Sequence, residues 1–317
     1  MTSDTEPPVF TAADDGFHFD ALSDRWWETE TAWFSFHHPG RKLGGWFYSM
    51  FRPNIGTVAG GFWVWDDTAH LPWTVPYSAN FSALQLPADL DLRDATLPTG
   101  VTMRVIEPAT SYALGFADSD RVTADLRFDA VMPPEPLTAV GSTFGSAHHF
   151  DQFGRVTGLL TLHGEEIEID CIGMRDRTWG PRPENRPRQA AYVTGASDPD
   201  NGFLAVTNVR PEGEVVAYGF LRRDGQTVSL ASGTRQVERD PHEGWIIRIT
   251  IDAVDTSGRH LVAVGEPASR IIVNRHTFID INSLVRWDMN GATAWGEDQD
   301  MWPMHNFSAD RRKARHG

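Results

Sequence analysis

The sequence predicts an all-β protein made of two consecutive antiparallel barrels or sandwiches with few short helices. Three observations predict it. Short runs of aromatic and β-branched residues recur about every ten positions, each closed by Gly, Pro, Asn or Asp. Strands nowhere alternate with long amphipathic helical stretches, as a parallel α/β sheet would require. An arginine- and proline-rich stretch at 181–188 separates two halves that share a strand-and-turn rhythm without an exact internal repeat. The expected organisation is a disordered N-terminus over 1–17, a first β-domain over 18–185, a second over 186–310 and a basic tail over 311–317.

Taken in order, 20–27 predicts a short helix with Asp20 as its cap. Strands are expected at 31–36, 44–51 and 60–65, the last two ended by Arg52-Pro53-Asn54 and Asp66-Asp67. Residues 71–91 are rich in Pro, Trp and Tyr without a clean period and read as a long loop or lid. Strands follow at 101–106 and 121–128, and 124–130 keeps its apolar set on one face, as a half-buried strand does. Pro133-Pro134-Glu135-Pro136 is a stiff break. Residues 155–163 and 165–176 form a hairpin turning at His163-Gly164. The second half offers strands at 191–194, 203–208, 215–222, 227–231, 245–253, 260–264, 277–287 and 293–295. Arg223-Asp224-Gly225 and Asn290-Gly291 are among its turns.

Composition narrows the function. A hydrophobic share of 40% makes the chain globular, and its 317 residues suffice for two domains. No apolar run approaches the roughly 20 residues of a membrane span. The start, Met1-Thr2-Ser3-Asp4, lacks a signal-peptide pattern, so a cytoplasmic location is expected. The single Cys171 excludes an internal disulfide and a cysteine-rich metal site. A net charge of −15 argues against nucleic acid and anionic lipid as partners. Twelve tryptophans point to large apolar interiors or an aromatic-lined cavity, or are simply the bulky filler a big barrel needs. Monomer and homodimer both stay open.

The densest chemistry lies in Gly173-Met174-Arg175-Asp176-Arg177-Thr178-Trp179-Gly180-Pro181. The alternation of 166–172 predicts a strand running into it. Ile172, Met174, Asp176 and Thr178 then share one face, and Arg175, Arg177 and Trp179 the other. The segment resembles the Gly-Tyr-His-Asp-His-Asn-Trp-Gly signature of carotenoid 1,2-hydratases (hydroxyneurosporene synthases) and their AttH-like relatives. Gly173, Asp176, Trp179 and Gly180 match, while Arg175 and Arg177 replace the flanking histidines, as in a divergent Arg-Asp-Arg-Thr-Trp-Gly branch. The resemblance implies two lipocalin-like β-barrels and an aspartate, here Asp176, that protonates an isoprenoid double bond. It also implies an aromatic–Gly–acid element near the site, here Trp295-Gly296-Glu297.

Each candidate carries two readings. Asp176 is either a general acid kept neutral by burial or one partner of a structural Asp–Arg pair with Arg175, Arg177, Arg182 or Arg186. His149 and Asp151 would share one strand face, and His148 and Gln152 the other. They orient water or substrate beside Asp176, or make ordinary strand-end hydrogen bonds; further ligands at zinc-like spacing are missing, so no metal is expected. Glu297 is a second acid or base, a partner of Arg177, or part of a solvated turn. Trp33, Phe36, Trp46, Tyr48, Trp63 and Trp65 line the first barrel or fill its core. The chain lacks a P-loop, a dinucleotide-binding glycine fingerprint, a Gly-x-Ser-x-Gly elbow and His-Glu-x-x-His, which favours a cofactor-free mechanism.

The resulting expectation is a cofactor-independent lyase or isomerase acting on a hydrophobic, terpenoid-like alkene or tertiary alcohol. Asp176, His149 and Glu297 would be catalytic, and Arg177, Trp179, His148, Gln152, Trp295, Trp63 and Trp46 would bind substrate. A carrier of an apolar ligand and a pericyclase-like enzyme without proton transfer are the rival readings.

Overall fold

The computed structural model describes residues 9–19, 25–137, 147–182, 189–275 and 278–316. Its first half holds β1 (Glu28–His38), β2 (Leu43–Arg52), β3 (Thr57–Trp65), β4 (Tyr77–Gln85), β5 (Asp94–Thr96) and β6 (Val101–Glu107). β7 (Ser111–Asp118), β8 (Val122–Ala130), β9 (Glu135–Pro136), β10 (His148–Leu162) and β11 (Glu165–Pro181) complete it. They form one antiparallel sheet in the order β4-β3-β2-β1-β11-β10-β8-β7-β6-β5, with β9 also on β10. The first of the two expected barrels or sandwiches is a rolled half-barrel whose end strands β4 and β5 do not pair with each other. Side chains take the place of the closing ladder: Phe62 stacks on Phe116 at 4.8 Å, and the Tyr77 hydroxyl donates to Asp118 at 2.7 Å.

The second half holds β12 (Ala190–Asp198), β13 (Asn201–Arg210), β14 (Gly213–Arg223), β15 (Gln226–Arg239), β16 (Ile246–Asp255), β17 (His260–Arg275), β18 (Phe278–Met289) and β19 (Ala292–Pro303). It is a closed up-and-down barrel, β12 pairing with β19. A C-terminal helix α1 (Met304–His316) follows it. The hairpin turns predicted at His163-Gly164, Asp224-Gly225 and Asn290-Gly291 all have positive φ at both residues, the backbone that matches strand twist in a two-residue loop. No helix among the described residues is long and apolar enough to cross a membrane.

Aromatic residue type marks the two faces of the first sheet. Phe34, Phe36, Phe47, Phe51 and Phe62 point inside, into the core of the rolled sheet. Their strand neighbours Trp33, Trp46, Tyr48, Trp63 and Trp65 point outward and pack against Tyr192, Leu204, Val206, Tyr218 and Phe220 of the barrel. Of the six aromatics expected to line the first barrel, only Phe36 does so. The tryptophans instead form the seam between the halves, with T-shaped contacts Trp33–Trp46 at 5.5 Å and Trp46–Trp65 at 6.0 Å. Burying each such side chain contributes roughly 1.5–3 kcal/mol, so the seam is a core in its own right.

Four further expectations change. The stretch 71–91 contains β4, hydrogen-bonded to β3. β7 escapes the sequence pattern because Ala113, Gly115 and Ala117 leave no polar contrast on its outer face. Residues 25–27 of the predicted helix form a turn, and 20–24 lie outside the described residues. Part of the N-terminus expected to be disordered is folded: a 3-10 turn, Ala12–Asp15, is closed by a Thr11–Asp14 capping box. Asp15 is buried there, accepting from Tyr112 Oη at 2.5 Å and Ala109 N at 2.7 Å.

Candidate functional site between the two halves

β11 lies mid-sheet between β1 and β10, and its two motif glycines are there for backbone reasons. A Cβ on Gly173 would come within 2.2 Å of the Ser35 carbonyl on β1. Gly180, where the strand ends, has φ +120°, which side chains disfavour. Between them the side chains alternate as the sequence pattern predicts. Arg175 turns to the inner face, where its Nε donates to Gln152 Oε1 at 2.6 Å and Asp15 lies 3.6 Å away. Arg177 pairs with Glu30 at 3.1 Å and donates to Gly16 O at 2.7 Å. Trp179 stacks on His18 at 3.8 Å and faces His148 at 5.6 Å. Arg177, Trp179, His148 and Gln152 thus gather around the N-terminal segment, on the opposite face of the sheet from Asp176.

Asp176 faces the seam. The register sets Trp33 of β1 and Asp151 of β10 directly beside it on either side. Asp151 is fully buried and its oxygens are filled: Tyr192 Oη donates to Oδ1 and Tyr218 Oη to Oδ2, both at 2.6 Å. Val206 of β13 lies between these two tyrosines in the register, so one barrel face delivers both hydroxyls. His149 Nε2 lies 3.0 Å from Asp151 Oδ1, and its Nδ1 2.8 Å from Thr178 Oγ1. Burial on its own lowers the imidazole pKa; the Asp151 and Asp176 carboxyls outweigh it and hold His149 above its ordinary value.

Asp176 differs from Asp151 in having an oxygen, Oδ1, without a hydrogen-bond partner. It sits deep among protein atoms yet keeps part of its surface open to a chamber. Burial, reinforced by the Asp151 charge, pushes its pKa above the ordinary carboxyl value, against the pull of His149, Arg182 and Arg275. Arg175 and Arg177, its chain neighbours, pair with other carboxylates on the far face. Arg186, the remaining candidate partner, lies outside the described residues.

The chamber is walled by Trp33, Trp46, Tyr48, Tyr192 and Met301, with Asp176, Arg182 and Arg275 as its charged groups. It meets an outer cleft of about 700 Å³, open mouth included, lined by Trp46, Trp63, Met50, Phe81, Val273 and Phe278. Trp46, Tyr48, Arg182 and Arg275 border both spaces. Arg275 donates to the Tyr48 hydroxyl and pairs with Asp280 at 3.0 Å.

Glu297 lies on the seam side of β19, where Trp46 Nε1 donates to its Oε2 at 2.7 Å. It is neither in a solvated turn nor paired with Arg177. Burial pushes its pKa up to about 8, against the Trp46 and Asn282 hydrogen bonds and with help from Asp280. It stands behind the Trp46 ring, outside the lining of the two cavities. Trp295, half-buried on the same face of β19, is not among their lining residues either. Trp46 and Trp63 do line the cleft.

His149, Asp151 and Asp176 bring possible ligand atoms within 4.8 Å of one another. A cation there would compete with two tyrosine protons for Asp151 and meet the fields of Arg182 and Arg275. The donor set therefore suits proton handling better than metal binding.

Tyr192, Tyr218 and Arg275 were not among the residues read from sequence, while Asp151 and Arg182 were named there only as possible neighbours of Asp176. A signal for the tyrosines was present. The chain has only five, and all five hydroxyls meet a charged side chain: Tyr48 with Arg275, Tyr77 with Asp118, Tyr112 with Asp15, Tyr192 and Tyr218 with Asp151.

Comparison with known proteins agrees with this architecture. The AttH-like protein of Nitrosomonas europaea superposes with a TM-score of 0.64 at 14% identity, over 95% of this chain and 98% of its own. CghA gives 0.55 at 13% identity over 86% and 88%, and it has also been solved with Sch210972. Kievitone hydratase from Nectria haematococca gives 0.49 at 12% identity over 94% of each chain. No curated protein matches the chain in sequence. The fold is thus that of the AttH-like, lipocalin-like group. Residues 11–300 match the model of one sequence family, and the chain belongs to it: the family is DUF7064, described as a domain of unknown function.

Proposed function

We propose that this protein is a cofactor-independent lyase or isomerase whose general acid is Asp176. Its substrate would be an alkene, or in reverse a tertiary alcohol, of a hydrophobic terpenoid-like molecule held between the two halves. The observation that carries the reading is the Asp176 carboxyl at the wall of an aromatic-lined chamber, with one buried oxygen unpartnered and a pKa that burial raises. That CghA, a protein of this fold, has been solved with Sch210972 supports reading the cleft as a binding site.

In this mechanism the Asp176 proton goes to one alkene carbon and the π-electrons form the new C–H bond. The positive charge left on the other carbon faces Trp33 and Tyr48, whose rings stabilise a cation. The cation is then quenched with return of a proton to the Asp176 carboxylate: water or an internal hydroxyl adds and gives up its O–H proton, an internal double bond closes a ring and the new cation loses a neighbouring C–H proton, or a C–H beside the first cation loses its proton to shift the double bond. Asp151, fixed by Tyr192, Tyr218 and His149, is a positioning residue: after burial, it adds to what raises the pKa of the neighbouring carboxyl. His149, with Nε2 on Asp151 and Nδ1 on Thr178, is a positioning residue for the same carboxyl pair. Glu297 supports the Trp46 wall and does not touch the reacting atoms.

The test is turnover in deuterated water of a panel of polyprenyl alkenes and tertiary terpenoid alcohols, read by mass spectrometry. The wild-type protein should place solvent deuterium on carbon, and Asp176→Asn should lose roughly 10²–10⁴-fold in rate, the usual contribution of a general acid. An Asp176→Asn variant that turns over at the wild-type rate would remove Asp176 from the chemistry. Product formed without deuterium would exclude protonation of carbon.

A further inference from the structure

We infer that the Gln299 amide binds the reacting oxygen in the Asp176 chamber: the water that adds to the alkene or, in reverse, the hydroxyl that leaves as water. The reaction class is then hydration or dehydration, rather than cyclisation or a shift of the double bond. The inference deepens the proposed function and rests on its assignment of Asp176 as the acid.

Strand parity puts Gln299 in the chamber. Its neighbours on β19, Asp298 and Asp300, turn into the barrel, where Arg235 faces both, so Gln299 turns to the seam. The register sets it between Tyr192 of β12, whose hydroxyl reaches Asp151, and Asn282 of β18. It lines the same space as Asp176, about 400 Å³ with the open side included. Gln299 is only 6% exposed, and among the described residues its amide has no hydrogen-bond partner.

Such an amide is costly as mere filler. It gives up its bonds to water on burial, and Met or Leu would fill a similar volume without that loss. Other polar groups of the chamber are committed: Tyr192 to Asp151, and Arg275 to Asp280 and Tyr48. Gln299 is left presenting one carbonyl acceptor and an amino group with two donors. Thr31 of β1 adds a hydroxyl to the lining from the sheet side. Neutral groups that both give and accept hydrogen bonds suit an O–H oxygen, and they have nothing to offer a hydrocarbon.

The chemistry balances around that oxygen. In hydration the Asp176 proton and the alkene π-electrons make the new C–H bond. A lone pair of the held water makes the C–O bond, while the Gln299 carbonyl accepts from the O–H that stays on oxygen. The surplus oxygen-bound proton goes to the Asp176 carboxylate, which restores the acid. In dehydration Asp176 protonates the hydroxyl, the C–O bond breaks, and the carboxylate takes a proton from the adjacent carbon.

The experiment has a binding arm and a turnover arm. The intact protein is titrated with tetrahydrolinalool, a saturated tertiary alcohol, and with dimethyloctane of the same skeleton without the hydroxyl. Tryptophan fluorescence reports binding, since Trp33 and Trp46 line the chamber. Gln299→Met should lower the ratio of alcohol to alkane affinity about tenfold, the upper range for one hydrogen bond. Its alkane affinity should stay within about twofold of the wild type, which shows that the variant is folded. An unchanged ratio in Gln299→Met overturns the inference whatever Asp176 does, and so does a wild-type protein that binds neither probe. In the turnover arm the alkene and alcohol panel is run in oxygen-18 water. The wild type should place solvent oxygen on carbon, and Gln299→Met should do so at least about tenfold more slowly. A wild-type protein that places solvent deuterium on carbon but never solvent oxygen overturns the oxygen site and leaves Asp176 as the acid. Binding that responds to Gln299→Met without any deuterium on carbon points instead to failure of the acid.

Discussion

Replacing Glu297 by Gln should make the protein less stable in mild acid and more stable in mild base. The carboxyl is buried behind Trp46, with Oε2 accepting from the indole and Asn282 beside it. Its pKa rises from 4.5 to about 8 on folding. Below the unfolded value both states carry the proton and the folded form bears no penalty. Between the two values the unfolded chain has lost the proton and the folded one keeps it, so stability falls as pH rises until the folded carboxyl ionises. At about 1.4 kcal/mol per pH unit the whole window amounts to about 5 kcal/mol, an upper bound because the folded state can relax or admit water. Glutamine has the same shape and accepts the Trp46 hydrogen bond, but it brings two amide N–H donors where the neutral carboxyl brings one O–H; with Asn282 beside it to accept one, the other is left over at a cost of about 1–3 kcal/mol at every pH. The two stability curves should therefore cross inside the window. The assay is urea unfolding of both proteins from pH 5 to pH 9. All other titrating groups are common to both, so their difference isolates this carboxyl. A difference independent of pH would refute the reasoning, and so would a variant that gains stability in acid.

Two other perturbations probe the seam and the barrel. Tyr218→Phe removes a donor from the buried Asp151 and should cost about 1–3 kcal/mol in urea unfolding; a change below about 0.5 kcal/mol would mean that Asp151 does not depend on that hydroxyl. Arg235→Met in the barrel interior leaves Asp298 and Glu214 without the guanidinium they share at 2.8–2.9 Å, and should cost about 3–5 kcal/mol. Adding Asp298→Leu should recover part of that loss; no recovery would show that the penalty is packing rather than stranded charge.

The sequence made most of the strands legible because their turns carry the chemistry of two-residue loops and their faces alternate. The parity of 172–179 and of 148–152 could be read directly, and with it the separation of Asp176 from Arg175 and Arg177. What alternation does not say is which face meets which neighbour. Trp33 and Phe34 both read as buried, and only the structure shows that one faces the barrel and the other the interior of the sheet. His148, Gln152, Arg177 and Trp179 were nevertheless assigned to substrate binding in the sequence reading, although they stand on the side of the sheet opposite Asp176. Tyr192, Tyr218 and Arg275 come from strands far along the chain and carry no local motif. The folded N-terminal turn was illegible because its partners Tyr112 and Arg175 are nearly 100 or more residues away.

The central claim is that Asp176 is a neutral acid at physiological pH. An infrared difference spectrum between the wild-type protein and Asp176→Asn near neutral pH tests it without knowledge of the substrate. The account predicts loss of a protonated carboxyl C=O band in the variant with the carboxylate bands unchanged. Loss of carboxylate absorption, with every protonated-carboxyl band retained, would contradict it.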